Sequence, residues 1–192
     1  DKAVFADADF VIEAVFEEMK VKQQVFAEVE AVVSPECVLA TNTSSLSVGE
    51  MASQLQHPER VVGFHFFNPV AVLPLLEIVR GGRTDDATLA TAFAVGKELR
   101  KSCVLVADAP AFVVNRLLTR FLGETLAAID AGTPPEVADS ALDPLGLLRM
   151  TDLSAQTSVT TSGITSYERY CFYFRSITRC VCVNVPASIR TR

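Results

Sequence analysis

The sequence predicts an α/β fold, in which a parallel sheet is covered by helices, followed by an all-helical region. Three short apolar, β-branched runs at residues 10–15, 38–40 and 61–66 alternate with segments of helical periodicity. Strands that alternate with helices in this way are typical of parallel sheets with helices on their faces. Beyond residue 111 the apolar residues recur at helical spacing alone, which predicts that a second domain begins there.

Caps and turns mark the remaining elements. Ser47 caps a helix and forms a capping box with Glu50, three residues later. Thr84 or Asp85 caps the helix that follows the Gly81-Gly82 turn. In chain order, the predicted strands are 10–15, 38–40, 61–66, 73–79 and 104–106, and the other predicted helices are 17–33, 85–101, 112–132 and 135–142.

The composition is that of a globular protein and argues against several classes of partner. Hydrophobic residues make up 49% of the 192, and no apolar run is long enough to span a bilayer. The net charge of −6 argues against nucleic acid, which needs clustered Lys and Arg. The first ten residues, DKAVFADADF, do not resemble a signal peptide. The five cysteines have neither disulfide-framework nor metal-ligand spacing, so we expect no metal site and a cytoplasmic location.

The composition changes abruptly near residue 149. Residues 149–192 contain six Arg, no Lys and only two acidic residues, whereas residues 1–148 hold the other 21 acidic and 11 basic residues. All three Tyr also lie in this last segment. Such a shift indicates a boundary, and we expect residues 149–192 to be an atypical tail that is disordered or altered in reading frame.

Residues 61–81 contain the clearest signal of chemistry. A predicted strand delivers His65 between Phe64 and Phe66, and Glu77 follows in a second apolar run. A histidine in such surroundings needs a group that fixes its tautomer or balances its charge. A carboxylate that points into a covered sheet needs a partner as well. Taken alone, His65 fits a structural core histidine equally well, but together with Glu77 and Ser44 it indicates acid–base catalysis.

Polar residues follow the predicted strands at one edge of the sheet, where ligands bind in open parallel sheets. Glu17 follows the first strand, Asn42–Ser45 the second and His65–Asn68 the third, and the domain junction at Asn115 is expected at the same edge. Each also has a structural interpretation. Ser44 can serve as a loop hydroxyl, Asn68 as a turn residue and Asn115 as a partner for a neighbouring helical turn. Their convergence favours a binding site.

Four sequence motifs occur in a characteristic order and spacing along the chain. They are EAVFEEMKVKQQVF (Glu13–Phe26), ATNTSSLS (Ala40–Ser47), GFHFFNPVAVLPLLEIV (Gly63–Val79) and FVVNRLL (Phe112–Leu118). In order and spacing this set resembles the 3-hydroxyacyl-CoA dehydrogenase family, especially the dehydrogenase portion of the multifunctional fatty-acid oxidation complex alpha subunit. The resemblance covers about residues 1–147.

The resemblance implies NAD-dependent oxidation of an L-3-hydroxyacyl-CoA to the 3-oxoacyl-CoA in fatty-acid β-oxidation. In this interpretation His65 matches the general base, and Glu77 matches the carboxylate that orients it. Ser44 and Asn115 match catalytic residues that hold the substrate hydroxyl and the thioester end. The positions that match contacts to the ribose and nicotinamide of NAD are Glu17, Lys22, Ser44 and Asn68.

The resemblance further implies a partial Rossmann-type fold. Residues 1–108 correspond to the C-terminal part of an NAD-binding domain, and residues 109–148 to the start of the helical C-terminal domain. The nine glycines include no GxGxxG, the turn that binds the pyrophosphate in this fold. We therefore expect a doubly wound parallel sheet whose N-terminal half is missing, followed by the start of an all-helical domain.

Three hypotheses for function remain open at this stage. The first is an enzyme, or a piece of one, that oxidises an acyl-CoA substrate, an L-3-hydroxyacyl-CoA, in fatty-acid β-oxidation. A homodimer or a thiolase-containing complex is then expected for the full-length parent. The second is a related dehydrogenase of hydroxy acids or sugar acids, a group that includes crystallin-like proteins with the HFFNP segment. The third is a truncated, catalytically inactive fragment that acts at most as a binding module.

Overall fold

The computed structural model describes residues 5–141, 143–146 and 181–183. Its strands are β1 (Phe10–Glu13), β2 (Val38–Thr41), β3 (Val61–Phe66), β4 (Leu75–Arg80), β5 (Ser102–Ala107) and β6 (Val181–Val183). Its α-helices are α1 (Met19–Glu30), α2 (Val48–Ala52), α3 (Asp86–Glu98), α4 (Val114–Asp130) and α5 (Pro135–Ser140). Single 3₁₀ turns lie at Pro58–Arg60 and Asp143–Leu145.

The central strands are buried on both faces, as their continuous apolar sequences predict. Successive side chains of a strand point to opposite faces of a sheet. Val11 and Leu39 therefore join one apolar cluster, with residues of α1 and α2, whereas Phe10 and Val38 join a second cluster, with residues of α3. Helices thus cover the sheet on both sides.

The order of the strands in the sheet is β5-β4-β3-β2-β1-β6. The strands β1, β2 and β3 are parallel, which confirms the predicted α/β class. The sheet is nevertheless mixed, because β4 runs antiparallel to β3, β5 runs parallel to β4, and β6 runs antiparallel to β1. Residues 67–74, which connect β3 to β4, are fewer than the roughly dozen residues that a parallel crossover needs. The chain therefore turns back on itself between these strands.

The predicted helix caps are present. The Ser47 hydroxyl accepts a hydrogen bond from the Glu50 amide at 3.2 Å, and the Asp85 carboxylate accepts one from the Thr88 amide at 2.7 Å. Each bond satisfies an amide at a helix N-terminus that has no partner within the helix. These caps begin α2 and α3 at the positions that the sequence indicates.

The described residues fall into two compact units. Those up to Phe112, together with Val181–Val183, form the first, and those from Val113 to Gly146 form the second, in which α4 packs against α5. The domain ranges 1–108, 109–148 and 149–192 stay predictions, and apart from β6 the tail lies outside the described residues. Among the helices that the structure describes, none combines the length and apolar character needed to cross a membrane.

Candidate active site

His65 and Glu77 lie directly opposite each other on the antiparallel strands β3 and β4. Side chains at such positions are in contact range, and here His65 Nδ1 lies 2.8 Å from a carboxylate oxygen of Glu77. The side chains are 1% and 0% exposed. The register of one strand pair thus brings together the two residues that the sequence predicts to interact.

The Glu77 carboxylate determines which nitrogen of the His65 ring carries the proton. An ionised carboxylate only accepts hydrogen bonds, so Nδ1 must be the donor and Nε2 the nitrogen with an acceptor lone pair. Aromatic rings flank the imidazole, with centroid distances of 4.5 Å to Phe67 and 5.7 Å to Phe112. Such apolar walls exclude water and strengthen the electrostatic interaction within the pair. The arrangement is suited to a general base acting through Nε2.

A second ionic group joins the end of β1 to the first turns of α1. The Lys22 ammonium lies 2.9 Å and 3.0 Å from the two carboxylate oxygens of Glu13, and both side chains are 0% exposed. The Thr41 hydroxyl, from the neighbouring strand β2, also donates to Glu13. Glu13 is not among the site residues predicted from the sequence. The signal was available, because Glu13, like Glu77, is a buried carboxylate in a strand of mostly apolar residues.

Glu17 organises the loop that contains Ser44. One of its carboxylate oxygens accepts hydrogen bonds from the Thr43 hydroxyl at 2.6 Å, the Ser44 amide at 2.7 Å and the Ser44 hydroxyl at 3.1 Å. The other oxygen lies 3.5 Å from the Lys22 ammonium. Three of the predicted residues, Glu17, Lys22 and Ser44, are therefore joined in one network at the carboxyl ends of β1 and β2.

The residues after β2 and β3 connect this network to the strand that carries His65. The side-chain oxygen of Asn42 accepts a hydrogen bond from the Phe66 amide at 3.1 Å, and the Asn42 amide donates to the Glu13 carbonyl at 2.9 Å. Asn68 lies two residues beyond the end of β3, is half-buried, and precedes Pro69 through a cis peptide bond. Glu17, Ser44, His65 and Asn68 thus lie at or near the carboxyl edge of the parallel strands, and their roles stay predictions.

The structure corrects the expectation that the last strand before Asn115 ends at the same edge of the sheet as β1–β3. A wholly parallel sheet would end β5 at the same edge as β1–β3. Because β4 is antiparallel to β3, and β5 is parallel to β4, β5 ends at the opposite edge. The chain then returns, and Phe112 reaches the ring of His65. Asn115 lies in the first turn of α4, in the second compact unit, and its role stays a prediction.

Asp108, which follows β5, is a further residue of this region that was not predicted from the sequence. Its carboxylate accepts hydrogen bonds from the Ser47 hydroxyl at 2.8 Å, the Val48 amide at 3.0 Å and the Gly49 amide at 2.8 Å. It therefore caps α2 and fixes the far end of the loop whose near end Glu17 holds. About sixty residues separate Asp108 from these partners, so no local pattern could have indicated them.

Comparison with known proteins agrees with this geometry. The model of the family "3-hydroxyacyl-CoA dehydrogenase, NAD binding domain" matches residues 1–109, more than half of the chain. The chain belongs to the 3-hydroxyacyl-CoA dehydrogenase family. The family is one of NAD-dependent oxidoreductases, and the matched part is its NAD-binding domain. The resemblance inferred from the four segments is thereby confirmed.

Individual members of the dehydrogenase family show how much of such a protein the chain represents. The fatty acid oxidation complex subunit alpha of Vibrio cholerae and that of Pseudomonas putida are each 42% identical over 142 residues, which is 74% of this chain. These 142 residues are 20% of each relative, so the chain spans about a fifth of their length.

Solved structures of the family share the fold. FadB2 of M. tuberculosis has a TM-score of 0.73 and 40% identity, and the match covers 77% of this chain and 53% of that one. The 3-hydroxybutyryl-CoA dehydrogenase of Escherichia coli K12 has a TM-score of 0.72 and 38% identity, with 74% of this chain and 30% of that one covered. Both TM-scores support an α/β, Rossmann-like fold for the matched residues, which include those of the candidate site.

Proposed function

We propose that the chain oxidises an L-3-hydroxyacyl-CoA to the corresponding 3-oxoacyl-CoA in fatty-acid oxidation, with NAD as the oxidant. The observation that carries this proposal is the buried contact of 2.8 Å between His65 and Glu77. Family membership supports the reaction class. The names of two solved relatives, 3-hydroxybutyryl-CoA dehydrogenases of Escherichia coli and Ralstonia eutropha, support a 3-hydroxyacyl thioester as the substrate.

His65 is the general base in this proposal. Its Nε2 accepts the proton of the substrate's 3-hydroxyl group as the hydrogen on the same carbon leaves as hydride. NAD, when bound, supplies the acceptor for that hydride. Proton transfer by a positioned side chain typically contributes about 10²- to 10⁴-fold to a rate. The contact with Glu77 supports this role because it leaves the basic lone pair on Nε2.

Glu77 stabilises the charge that develops on His65. When Nε2 takes the proton, the imidazole becomes an imidazolium inside an apolar setting, where an unpaired charge is unfavourable. The carboxylate of Glu77 lies at hydrogen-bond distance from Nδ1 in advance, so no reorganisation is needed as the charge forms. Its role corresponds to that of the aspartate in a hydrolase triad.

Ser44 and Asn115 hold the substrate in the proposal. The Ser44 hydroxyl and amide are fixed by Glu17, which supports a serine with a defined orientation. Asn115 is assigned by its match to the FVVNRLL segment, and it is half-buried near the N-terminus of α4. Held reactants lose less entropy on reaching the transition state, which is the main contribution that positioning residues make to hydride transfer.

The described residues fit the ribose and nicotinamide end of NAD. Glu17 lies at the carboxyl edge of the sheet with 18% of its side chain exposed, and carboxylates accept hydrogen bonds from ribose hydroxyls. Ser44 and Asn68 present hydroxyl and amide groups at the same edge. Lys22 is fully buried behind Glu17, so its contribution to this subsite acts through their ion pair. The 192 residues contain no GxGxxG turn, and we assign no residue to the pyrophosphate.

The two histidines of the chain provide a matched test. The purified chain is mixed with NAD and L-3-hydroxybutyryl-CoA, and NADH formation is followed by absorbance, with the D-enantiomer as a control. We expect His65→Gln to lower the rate by roughly 10²- to 10⁴-fold. His57, whose side chain is 43% exposed and lies 3.1 Å from Glu59, should tolerate the same change to Gln with an unaltered rate.

Each other outcome has a defined meaning. Equal rates for the His65→Gln and His57→Gln variants would exclude His65 as the base. A wild-type chain that binds L-3-hydroxybutyryl-CoA in calorimetry but forms no NADH would overturn catalysis by these 192 residues and support the binding-module hypothesis. Faster turnover of 3-hydroxybutyrate than of its CoA thioester would instead support the hydroxy-acid dehydrogenases.

We also propose that the protein acts in the cytoplasm as part of an assembly. The names of the relatives, subunits of a fatty acid oxidation complex, support assembly in this family. A homodimer and a complex with a thiolase are the two forms we consider. Light scattering of the purified chain, alone and with a thiolase subunit, distinguishes them, and a monomer under both conditions would contradict the proposal.

A further inference from the structure

Glu13 is the most completely buried carboxylate near the site that the proposed mechanism does not use. Its side chain is 0% exposed, and its two oxygens accept hydrogen bonds from Lys22, Thr41 and the Val15 amide. Three donors from three segments of the chain thus meet at one carboxylate. Burial of a charge is unfavourable unless it is paired and hydrogen-bonded, and this carboxylate meets both conditions.

The Lys22 ammonium is held by Glu13 and Val15 and also lies close to the Glu17 carboxylate. Its hydrogen bonds go to both oxygens of Glu13, at 2.9 Å and 3.0 Å, and to the Val15 carbonyl at 3.4 Å. A carboxylate oxygen of Glu17 lies 3.5 Å from the same ammonium nitrogen. An ammonium has three donors, so the bonds within the chain account for them. Lys22 therefore acts here as a fixed positive charge between two carboxylates.

Glu17, held beside Lys22, in turn binds the loop that carries Ser44. Its oxygen that faces away from Lys22 accepts three hydrogen bonds, from the Thr43 hydroxyl and from the amide and hydroxyl of Ser44. A carboxylate with one oxygen beside a cation and the other bonded to a backbone amide has little rotational freedom. A continuous series of contacts therefore links Glu13 to Lys22, Lys22 to Glu17, and Glu17 to Ser44.

We propose that Glu13 is a positioning residue that fixes Lys22, and through it Glu17 and Ser44, for binding of the nicotinamide nucleotide. This inference rests on the proposed function for the identity of the ligand, but the order within the chain is independent of it. Glu13 itself touches neither substrate nor cofactor in this proposal. A buried ion pair is often replaceable by apolar residues without loss of stability, so stability alone does not explain the Glu13–Lys22 pair. The contacts that continue from Lys22 through Glu17 to Ser44 point instead to positioning of Ser44.

Replacement of Glu13 by Gln tests the inference with little change in shape. The amide has one acceptor oxygen, so Lys22 loses its two-oxygen contact and its fixed position. We expect NADH affinity, measured by fluorescence titration of the 192-residue chain, to fall by roughly tenfold or more, as for loss of a hydrogen bond to a charged group. In NMR spectra recorded without ligand, the Ser44 amide proton and the Lys22 ammonium signal should both shift.

Glu30→Gln is the matched control. Glu30 lies at the other end of α1 and pairs with buried Arg60 at 3.3 Å, next to the opposite edge of the sheet. It also accepts hydrogen bonds from the Gln56 and His57 amides. Its replacement removes a buried pair from the same helix, so it should lower thermal stability but leave the Ser44 amide signal and NADH affinity unchanged.

A double variant, Glu13→Gln with Lys22→Met, separates positioning from folding. It removes both buried charges, so we expect the thermal midpoint to recover relative to Glu13→Gln alone. The Ser44 amide should stay shifted and NADH affinity low, because Glu17 has lost its fixed partner. Recovery of the Ser44 signal and of NADH affinity together with stability would overturn the inference and make Glu13 a residue that only neutralises Lys22.

The inference and the proposed function fail in different ways. A Ser44 signal that is the same in the Glu13→Gln variant and the wild type, or that moves equally in the Glu30→Gln variant, would overturn positioning by Glu13. A wild-type chain that binds no NADH would overturn the cofactor assignment, and the NMR comparison would still decide whether Glu13 fixes the Ser44 loop.

Discussion

Two buried ionic groups of this protein lie on the same face of the sheet but are held in different ways. His65 and Glu77 face each other across two hydrogen-bonded strands, so their contact follows from the register of the sheet. Glu13 and Lys22 belong to a strand and a helix, so their contact depends on how α1 packs against β1. One group is set by backbone hydrogen bonds and the other by tertiary packing.

This difference suits the two groups to different tasks. The proton transfer that we propose for His65 requires its ring to keep one orientation throughout turnover, and a strand ladder provides that rigidity. The cofactor subsite that we propose needs several segments to be gathered at one place, and the contacts among Glu13, Lys22 and Glu17 join the ends of β1 and β2. We therefore expect the first group to control turnover and the second to control cofactor affinity.

The largest effect is expected from Glu77→Gln. A neutral amide cannot balance an imidazolium, and its NH₂ group can donate to Nδ1 and so move the ring proton to Nε2. We expect kcat to fall by roughly 10²- to 10⁴-fold with NADH affinity unchanged. Steady-state kinetics and fluorescence titration measure the two quantities.

The same two measurements on Glu13→Gln should give the reverse pattern, a loss mainly in NADH affinity. If Glu77→Gln weakened NADH binding and kept kcat, or if the two variants lost the same quantity, the division of tasks between the groups would be wrong. Glu77→Gln also provides the test of the hydrogen bond itself, since a pH–rate profile equal to that of the wild type would contradict the pairing.

A smaller effect is expected from Gly63→Ala, which mainly disturbs the β3–β4 strand pair and also brings a Cβ to 3.1 Å from a side-chain carbon of Val48 in α2. Gly63 lies opposite Val79, and a Cβ at Gly63 would lie 2.5 Å from Val79 Cβ. Added atoms in a packed core typically destabilise by about 1–3 kcal/mol, and here they would separate β3 from β4 on the face that carries His65 and Glu77. Urea denaturation should show this loss, and turnover should fall with it.

Gly82→Ala is the control for the strand pair, because a Cβ at Gly82 meets nothing within 4 Å. Its stability should stay within roughly 0.5 kcal/mol of the wild type. The Lys22 ammonium signal should be unchanged in both glycine variants. A shift of that signal in the Gly63→Ala variant would mean that the two ionic groups are coupled through the sheet.

The His65–Glu77 pair could be predicted because both residues interrupt apolar runs. A buried histidine and a buried carboxylate each require a partner, and the short connection between their strands favours adjacent pairing. The strand bounds of β3, residues 61–66, were predicted without error. The reversal of β4 was missed, although the length of residues 67–74 contains that signal.

Residues held by tertiary packing were harder to predict. Glu13 carries the same signal as Glu77, but its partner Lys22 lies on a helix, and periodicity does not tell which helical residue faces which strand residue. Glu17 was predicted from its position after the first strand and Lys22 from the family resemblance, whereas their contacts with Glu13 and Ser44 emerged only from the fold. The position of Asn115 relative to the first unit stays a prediction for the same reason.

The smallest effect is expected from Asp108→Asn, which loosens the Ser44 loop at the end opposite Glu17. Asp108 accepts three hydrogen bonds from Ser47, Val48 and Gly49 through two oxygens, and an asparagine has only one acceptor oxygen. Loss of a helix cap typically costs about 1 kcal/mol, so the Val48 and Gly49 amides should exchange with solvent faster by several-fold. Hydrogen exchange followed by NMR measures this directly. If Ser44 also exchanged faster, the loop would need both carboxylates for its order. If only α2 responded, Glu17 and the Glu13–Lys22 pair would suffice to hold Ser44, and the order of this loop would depend on the packing of α1 against β1.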